Sequence, residues 1–292
     1  MAEHGLAEPV IGIAFDGTGY GTDGAIWGGE FLVGDYGGFR RAAHLRYVGM
    51  PGGERAIREP WRMAVAHLAD ANCGRAPMRG RVSPVALRAV ETMLERRINT
   101  PHTSSVGRLF DAVASLIGVR DCVSHEGQAA MELEWLADAT APDGAYPFDL
   151  VGTWEGEDVE AAVSIDTRPL IRAVAREASR GTDASLIARR FHSAMVEVIA
   201  AVCGRLRATT GLDAVVLSGG VFLNVLLTGE VVARLSREGF RVYRHRLVPP
   251  NDGGISLGQI ALAAWRLTLD SGRRPSDNDE GKGAADVPRD SG

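Results

Sequence analysis

The first strong hydrophobic run, Val10-Ile11-Gly12-Ile13-Ala14-Phe15, is short and continuous, which predicts a buried strand. It gives way to Asp16-Gly17-Thr18-Gly19-Tyr20-Gly21-Thr22-Asp23-Gly24, a stretch whose glycines predict a sharp turn in place of regular structure. Two strand-like runs follow, Ala25 to Val33 and Phe39 to Leu45, and Asp35-Tyr36-Gly37-Gly38 between them predicts a hairpin. From Trp61 to about Thr210 the period becomes helical. Ser83 and Pro84 open a helix with Leu87, Val90 and Leu94 on one face, and two more helices are predicted over Val106–Leu116 and Gln128–Ala139. The 140–168 stretch is mixed, with turns marked by Pro142, Asp143-Gly144 and Pro147. Asp183 then caps a long helix whose stripe of Ile187, Phe191, Met195, Val198, Val202 and Leu206 predicts core packing.

Beyond Thr210 the pattern is strand, loop, helix, twice over. Ala214-Val215-Val216-Leu217 is a predicted strand and Ser218-Gly219-Gly220 a tight loop, with a helix over Val221–Glu238 stopped by Gly239. Arg241 to His245 is the next strand, and Pro249-Pro250-Asn251-Asp252-Gly253-Gly254 leads into a helix from Ile255 to about Leu269. This is α/β crossover grammar. The chain divides into a strand and hairpin region (1–60), a mostly helical section (61–210), an α/β section carrying the loops of interest (211–269) and an apolar-poor tail (270–292) expected to be disordered. No internal repeat is present.

A hydrophobic content of 45% over 292 residues supplies a large core and excludes wholesale disorder. The net charge of -5 and pI near 5.8 argue against a nucleic-acid partner. Cys73, Cys122 and Cys203 form no Cys-x-x-Cys pair, and three scattered thiols fit a reducing compartment. The first residues carry acid and no long apolar run, so neither a signal peptide nor a membrane anchor is expected, and the expected location is the cytoplasm.

Three glycine-rich loops each follow a predicted strand, the place where ligands gather in open α/β sheets. Free N–H groups where Ser218-Gly219-Gly220 opens a helix would suit a phosphate, with Asn224 adding an amide from the first turn; a tight connection without a ligand explains the same glycines. Asp16 and Asp252 stand beside such turns and are either metal-ligand carboxylates or turn formers with Asx-type bonds. Asp111 and Glu126, taken alone, read as ordinary helix-surface and helix-start acids. The seven histidines stand singly, without metal-site spacing.

Four blocks together carry a resemblance. Ile13-Ala14-Phe15-Asp16-Gly17-Thr18-Gly19-Tyr20-Gly21 with Trp27-Gly28-Gly29-Glu30-Phe31, Thr103-Ser104-Ser105-Val106-Gly107-Arg108-Leu109-Phe110-Asp111, Leu217-Ser218-Gly219-Gly220-Val221-Phe222-Leu223-Asn224, and Asn251-Asp252-Gly253-Gly254-Ile255-Ser256-Leu257-Gly258-Gln259 resemble the HypF carbamoyltransferases of nickel–iron hydrogenase maturation. The resemblance covers about residues 1–268. It implies an acetate-kinase/Hsp70/actin-like (ribonuclease H-like) α/β lobe with a helical insertion, incomplete because the first lobe is missing. It also implies transfer of a carbamoyl group from carbamoyl-adenylate, made from carbamoyl phosphate and ATP, to the C-terminal cysteine of a HypE-type acceptor, with neither nucleic acid nor membrane involved. By the same resemblance Asp16 and Asp252 match catalytic ligands of a divalent metal, iron or zinc. Gly219, Gly220 and Asn224 match a phosphate loop, and Gly107, Asp111 and Glu126 match nucleoside positions. The family's His-x-x-x-His metal motif is not found in this sequence, so Met1 is expected to be an internal start and the chain alone to be inactive. A small-molecule O-carbamoyltransferase and an inactive nucleotide-binding remnant are the alternative readings.

Overall fold

Strand β1 (Val10–Tyr20) runs up the middle of the sheet, and Ile11, Ile13 and Phe15 along it are each fully buried. The computed structural model describes residues 1–152 and 162–270. β1 pairs antiparallel with β2 (Ile26–Asp35), which pairs antiparallel with β3 (Gly38–Leu45) across the predicted hairpin. On its other side β1 runs parallel to β8 (Ala214–Ser218), and β8 runs parallel to β9 (Arg241–Tyr243). Two short strands, β4 (Val48–Gly49) and β5 (His102–Thr103), join the sheet through β2. The far edge is made by β7 (Val163–Asp166), parallel to β3, and β6 (Asp149–Val151). The full order is β6-β7-β3-β2-β1-β8-β9.

Between β3 and β8 the chain forms α1 (Arg55–Arg58), α2 (Trp61–Asp70), α3 (Pro84–Arg96), α4 (Val106–Leu116), α5 (Gln128–Asp138), α6 (Arg168–Ser179) and α7 (Ala184–Thr210). The section predicted as helical thus also supplies β5, β6 and β7. α4 lies against β1 and packs on α2 and α5, while α7 packs on α5 and on α8 (Val225–Arg237), the crossover between β8 and β9. The predicted α7 stripe, Ile187 through Leu206, is fully buried, and Asp183 and the left-handed Gly211 close its two ends. One apolar core runs from Ile11 to Phe240 beneath sheet and helices.

Three local expectations are corrected. The segment after Phe15 does not turn away: β1 continues to Tyr20, and its glycines serve close strand approach, since a Cβ on Gly19 would sit 2.9 Å from the Trp27 carbonyl oxygen. The helix after the Ser218 loop begins at Val225, because a 3-10 turn over Gly220–Leu223 intervenes. β9 stops at Tyr243. The last helix, α9 (Ile255–Asp270), packs on the turns at Ala2–His4 and Asp252–Gly254 and leaves Ile255, Ile260 and Leu267 exposed. The expected tail from residue 271 lies outside the described residues.

Candidate functional site

The site begins with a fault in the β1–β2 ladder. Phe15 faces Gly29 and Gly19 faces Trp27, so residues 16–18 stand opposite Gly28 alone and bulge from the sheet. α4 is pressed onto this bulge. Ser105, its N-cap, accepts from the Arg108 N–H and turns its own hydroxyl proton toward the Asp16 and Gly17 carbonyl oxygens, 2.7 and 2.8 Å away. Contact is so close that a Cβ on Gly107 would lie 2.8 Å from the Gly17 Cα.

The Ser218-Gly219-Gly220 loop meets the bulge from the β8 side. Gly219 has φ +100, and a Cβ there would collide with the Phe15 carbonyl oxygen at 2.1 Å, so only glycine fits. Its N–H donates to the Pro250 carbonyl oxygen, tying the loop to the Asp252 turn. The helix start itself is not an open anion site. Asn224 is its N-cap and not a first-turn residue: Oδ1 accepts from the Leu227 N–H and the amide contacts His192 Nε2 at 3.0 Å. Glu134 accepts from the N–H groups of Val225 and Leu226. Asn224, expected at the phosphate, is therefore engaged inside the protein.

What remains open is the space between bulge and loop. A cavity of about 350 Å³ is lined by Asp16, Gly17, Gly107, Arg108, Asp111, Glu126, Gly220, Asn251 and Asp252 among others. Six of the eight residues singled out from the sequence, Asp16, Gly107, Asp111, Glu126, Gly220 and Asp252, meet here; Gly219 lines the adjoining cavity, which also reaches Asp16 and Asp252. A third cavity extends past Asp16, Glu126 and Asp252 toward Glu54, Arg58 and His125.

Charge in the cleft is unbalanced. Burial raises the Asp16 carboxyl above its ordinary range; the Gly17 and Gly220 N–H groups pull it down, and Asp252 and Glu126 push it up again. Asp111 is not a surface acid: it is 3% exposed, and burial pushes it up to about 6 against the opposing pull of Arg108. Arg108 Nη2 lies 3.1 Å from Asp111 Oδ2, but Arg108 Nε and Nη1 and Asp111 Oδ2 make no hydrogen bond. Among the described residues no group of three or more His, Cys, Asp or Glu side chains is arranged to hold a metal ion. Asp16 and Asp252, the two carboxylates that the resemblance assigns to a metal, line one cavity together with Glu126. His44 contacts the Leu45 carbonyl oxygen, and His245 stands 3.3 Å from Glu3 and 3.5 Å from the Ser218 hydroxyl.

Sequence reasoning passed over Ser105, Arg108, Glu30 and Glu134. Ser105 was findable, being a serine just ahead of a predicted helix that opens Val106-Gly107. The other three act through partners remote in sequence or through burial, which composition does not reveal.

The family model described as "Carbamoyltransferase, Kae1-like Domain, second subdomain" matches residues 12–259. Carbamoyltransferase HypF2 of Cupriavidus necator is 40% identical over 91% of this chain and 35% of its own length. A carbamoyltransferase HypF homolog of the same organism is 40% identical over 92% of this chain and 68% of its own. The crystal structure of full-length HypF in the phosphate- and nucleotide-bound form gives a TM-score of 0.84 at 41% identity, covering 94% of this chain and 42% of that one. The chain therefore spans about a third of the first of these relatives and about two thirds of the second. With that match over most of its length, the chain belongs to the HypF carbamoyltransferases, in which it corresponds to the second subdomain of the Kae1-like domain.

Proposed function

We propose that the cleft holds the nucleotide and phosphate of a carbamoyl-adenylate, and that this chain serves transfer of the carbamoyl group to the C-terminal cysteine thiol of a HypE-type acceptor. The observation that carries this is convergence: five segments, the β1 bulge, α4, the stretch before α5, the Ser218 loop and the Asp252 turn, place Asp16, Gly107, Asp111, Glu126, Gly220 and Asp252 on one cavity. The carbamoyl-adenylate would come from carbamoyl phosphate and ATP. A HypF structure bound to phosphate and nucleotide, at a TM-score of 0.84, supports the ligand class.

Each wall has its task. Asp111 and Glu126 can accept hydrogen bonds from sugar hydroxyls, and Gly107 keeps that wall close to the bulge. Gly220, without a side chain, lets a phosphate approach backbone N–H groups. In transfer the thiol sulfur forms a bond to the carbamoyl carbon, the bond from that carbon to the adenylate oxygen breaks, and the thiol proton leaves to a base. By the resemblance Asp16 and Asp252 would hold a divalent metal, with Glu126 on the same cavity; among the described residues no group of three or more His, Cys, Asp or Glu side chains is arranged to hold one, so no step is assigned to it. We place the chain in the cytoplasm, which suits its three free thiols; no helix among the described residues is long and apolar enough to cross a membrane.

Calorimetry with ATP and with inorganic phosphate tests the cleft, and thiocarboxamide formation on an acceptor peptide supplied with carbamoyl-adenylate tests the reaction. Expected are nucleotide binding, competition by phosphate, and no transfer by the chain alone. Absence of nucleotide binding overturns the cleft assignment. Transfer by the chain alone would show that two carboxylates suffice.

A further inference from the structure

Arg108 is an arginine in the core. It is 2% exposed, its neighbours Leu109 and Phe110 are buried, and its Nε and Nη1 find no acceptor among the described residues. A guanidinium is a poor choice for filling such a space, because an apolar side chain of like volume would serve stability as well or better. Its head instead lies at a junction. Nη2 reaches Asp111 at 3.1 Å, and the same nitrogen lies 3.3 Å from where a Cβ on Gly17 would stand. One cation therefore underlies both walls of the cleft, the acid on α4 and the bulge that follows Phe15.

Its free nitrogens are closed off from solvent, so Arg108 acts on a ligand through Asp111. We propose that Arg108 is a positioning residue for nucleoside recognition: from beneath Gly17 it holds the Asp111 carboxylate fixed as a hydrogen-bond acceptor for sugar hydroxyls. The phosphate end of the cleft, at Gly220, does not depend on it. This rests on the nucleotide reading above and adds a residue and a division of labour to it. The carboxylate can accept only from donors, so the moiety sensed through Arg108 is the hydroxyl-bearing sugar and not the anionic phosphate.

Adenosine and inorganic phosphate are the two probes, titrated by calorimetry into the wild-type chain and into Arg108→Met, Arg108→Lys, Asp111→Asn and Arg108→Met/Asp111→Asn. Arg108→Met is expected to weaken adenosine tenfold or more while phosphate affinity stays within twofold, and Arg108→Lys to recover part of the loss. In the Asp111→Asn background, Arg108→Met should bring no further loss of adenosine affinity. If Arg108→Met does not fold, Arg108→Gln, which removes the charge but keeps a polar side chain, takes its place with the same expected split between probes. Unchanged adenosine affinity, parallel loss of both ligands, or a further drop in the Asp111→Asn background would overturn the proposal. A wild-type chain that binds phosphate but not adenosine overturns the nucleoside reading and this role with it; one that binds adenosine no more tightly than Arg108→Met does overturns this role alone.

Discussion

Glu30 and Asp111 are buried to the same depth, 2% and 3% exposed, and each faces an arginine, yet their surroundings are opposites. Glu30 is saturated: Oε2 accepts from Arg41 at 2.5 Å, and Oε1 accepts from the Ser104 hydroxyl and from the N–H groups of Gly28 and Gly29. Arg41 is equally engaged, with its guanidinium 4.0 Å from the Trp27 ring centre and bonded to Asp23 and Tyr47. Asp111 has one misaligned arginine, and three polar atoms of that pair are left without hydrogen bonds. A saturated buried acid belongs to the scaffold, and an unsatisfied one calls for an explanation, which the nucleoside role proposed above supplies. Glu30 fixes the strand opposite the bulge and the segment entering α4; Asp111 faces the space those elements enclose.

The largest expected effect separates the two directly. Glu30→Ala removes an acceptor from four donors and breaks the buried pair with Arg41, so it should cost about 3–5 kcal/mol of stability, read from urea unfolding. Replacing both partners sharpens the contrast. Arg108→Met/Asp111→Leu should be neutral or stabilising, by up to about 4 kcal/mol, because it discards an unsatisfied pair. Glu30→Leu/Arg41→Met should stay destabilising by at least about 2 kcal/mol, since the Gly28 and Gly29 N–H groups and Ser104 lose their acceptor. If the two double variants behave alike, the distinction drawn here fails.

The same pair has a pH signature. An unfolded aspartate titrates near 3.8 and Asp111 near 6, so between those values the folded protein keeps a proton that the unfolded chain has released. This contribution to stability is full below about pH 4 and is lost as pH rises to about 6. It amounts to a change on the order of 2–3 kcal/mol. His67 and His192, both pushed down to about 4 by burial, tilt the profile the other way, because the unfolded chain takes up protons there first. The measurement is therefore a difference: stability of the wild type minus that of Arg108→Met/Asp111→Leu, followed from pH 4 to pH 6.5. It should fall with rising pH, and a flat difference would place Asp111 in ordinary carboxylate surroundings.

These contrasts explain what could be read from the chain and what could not. The α7 stripe and its two ends follow from local periodicity and local capping, which the sequence carries whole. The gathering of Gly220 and Asp252 was legible too, because loops after adjacent parallel strands open on the same side of a sheet. The bulge at 16–18 was not, since it exists only against Trp27 and Gly29 on the next strand. Nor was the sealing of the α8 start, where Glu134 acts across 91 residues and Asn224 turns inward to His192. Arg108 and Asp111, spaced i and i+3, look like a surface ion pair until the fold buries that face of α4.

The smallest expected effect on stability comes from the cleft loop, and it has a matched control in the scaffold. Gly220 has ordinary backbone angles, and a Cβ there meets only Asp16 Oδ1 at 3.2 Å and Asn251 Cβ at 3.7 Å, both at the edge of the cavity. Gly29 is hemmed in by backbone: a Cβ would stand 2.3 Å from the Ser104 carbonyl oxygen. Gly29→Val should therefore prevent folding or cost several kcal/mol, because the strand pair itself must move. Gly220→Val should cost less, on the order of 1 kcal/mol, since the tight contact is with the Asp16 carboxylate, a side chain, and not with backbone. Phosphate must come close to the backbone at this point, so the same change should weaken phosphate and ATP tenfold or more, about 1.4 kcal/mol. Urea unfolding and calorimetry on Gly220→Val give both numbers. A folded variant with wild-type phosphate affinity would move the anion site away from Gly220, and a variant that unfolds as Gly29→Val does would make this loop part of the scaffold after all.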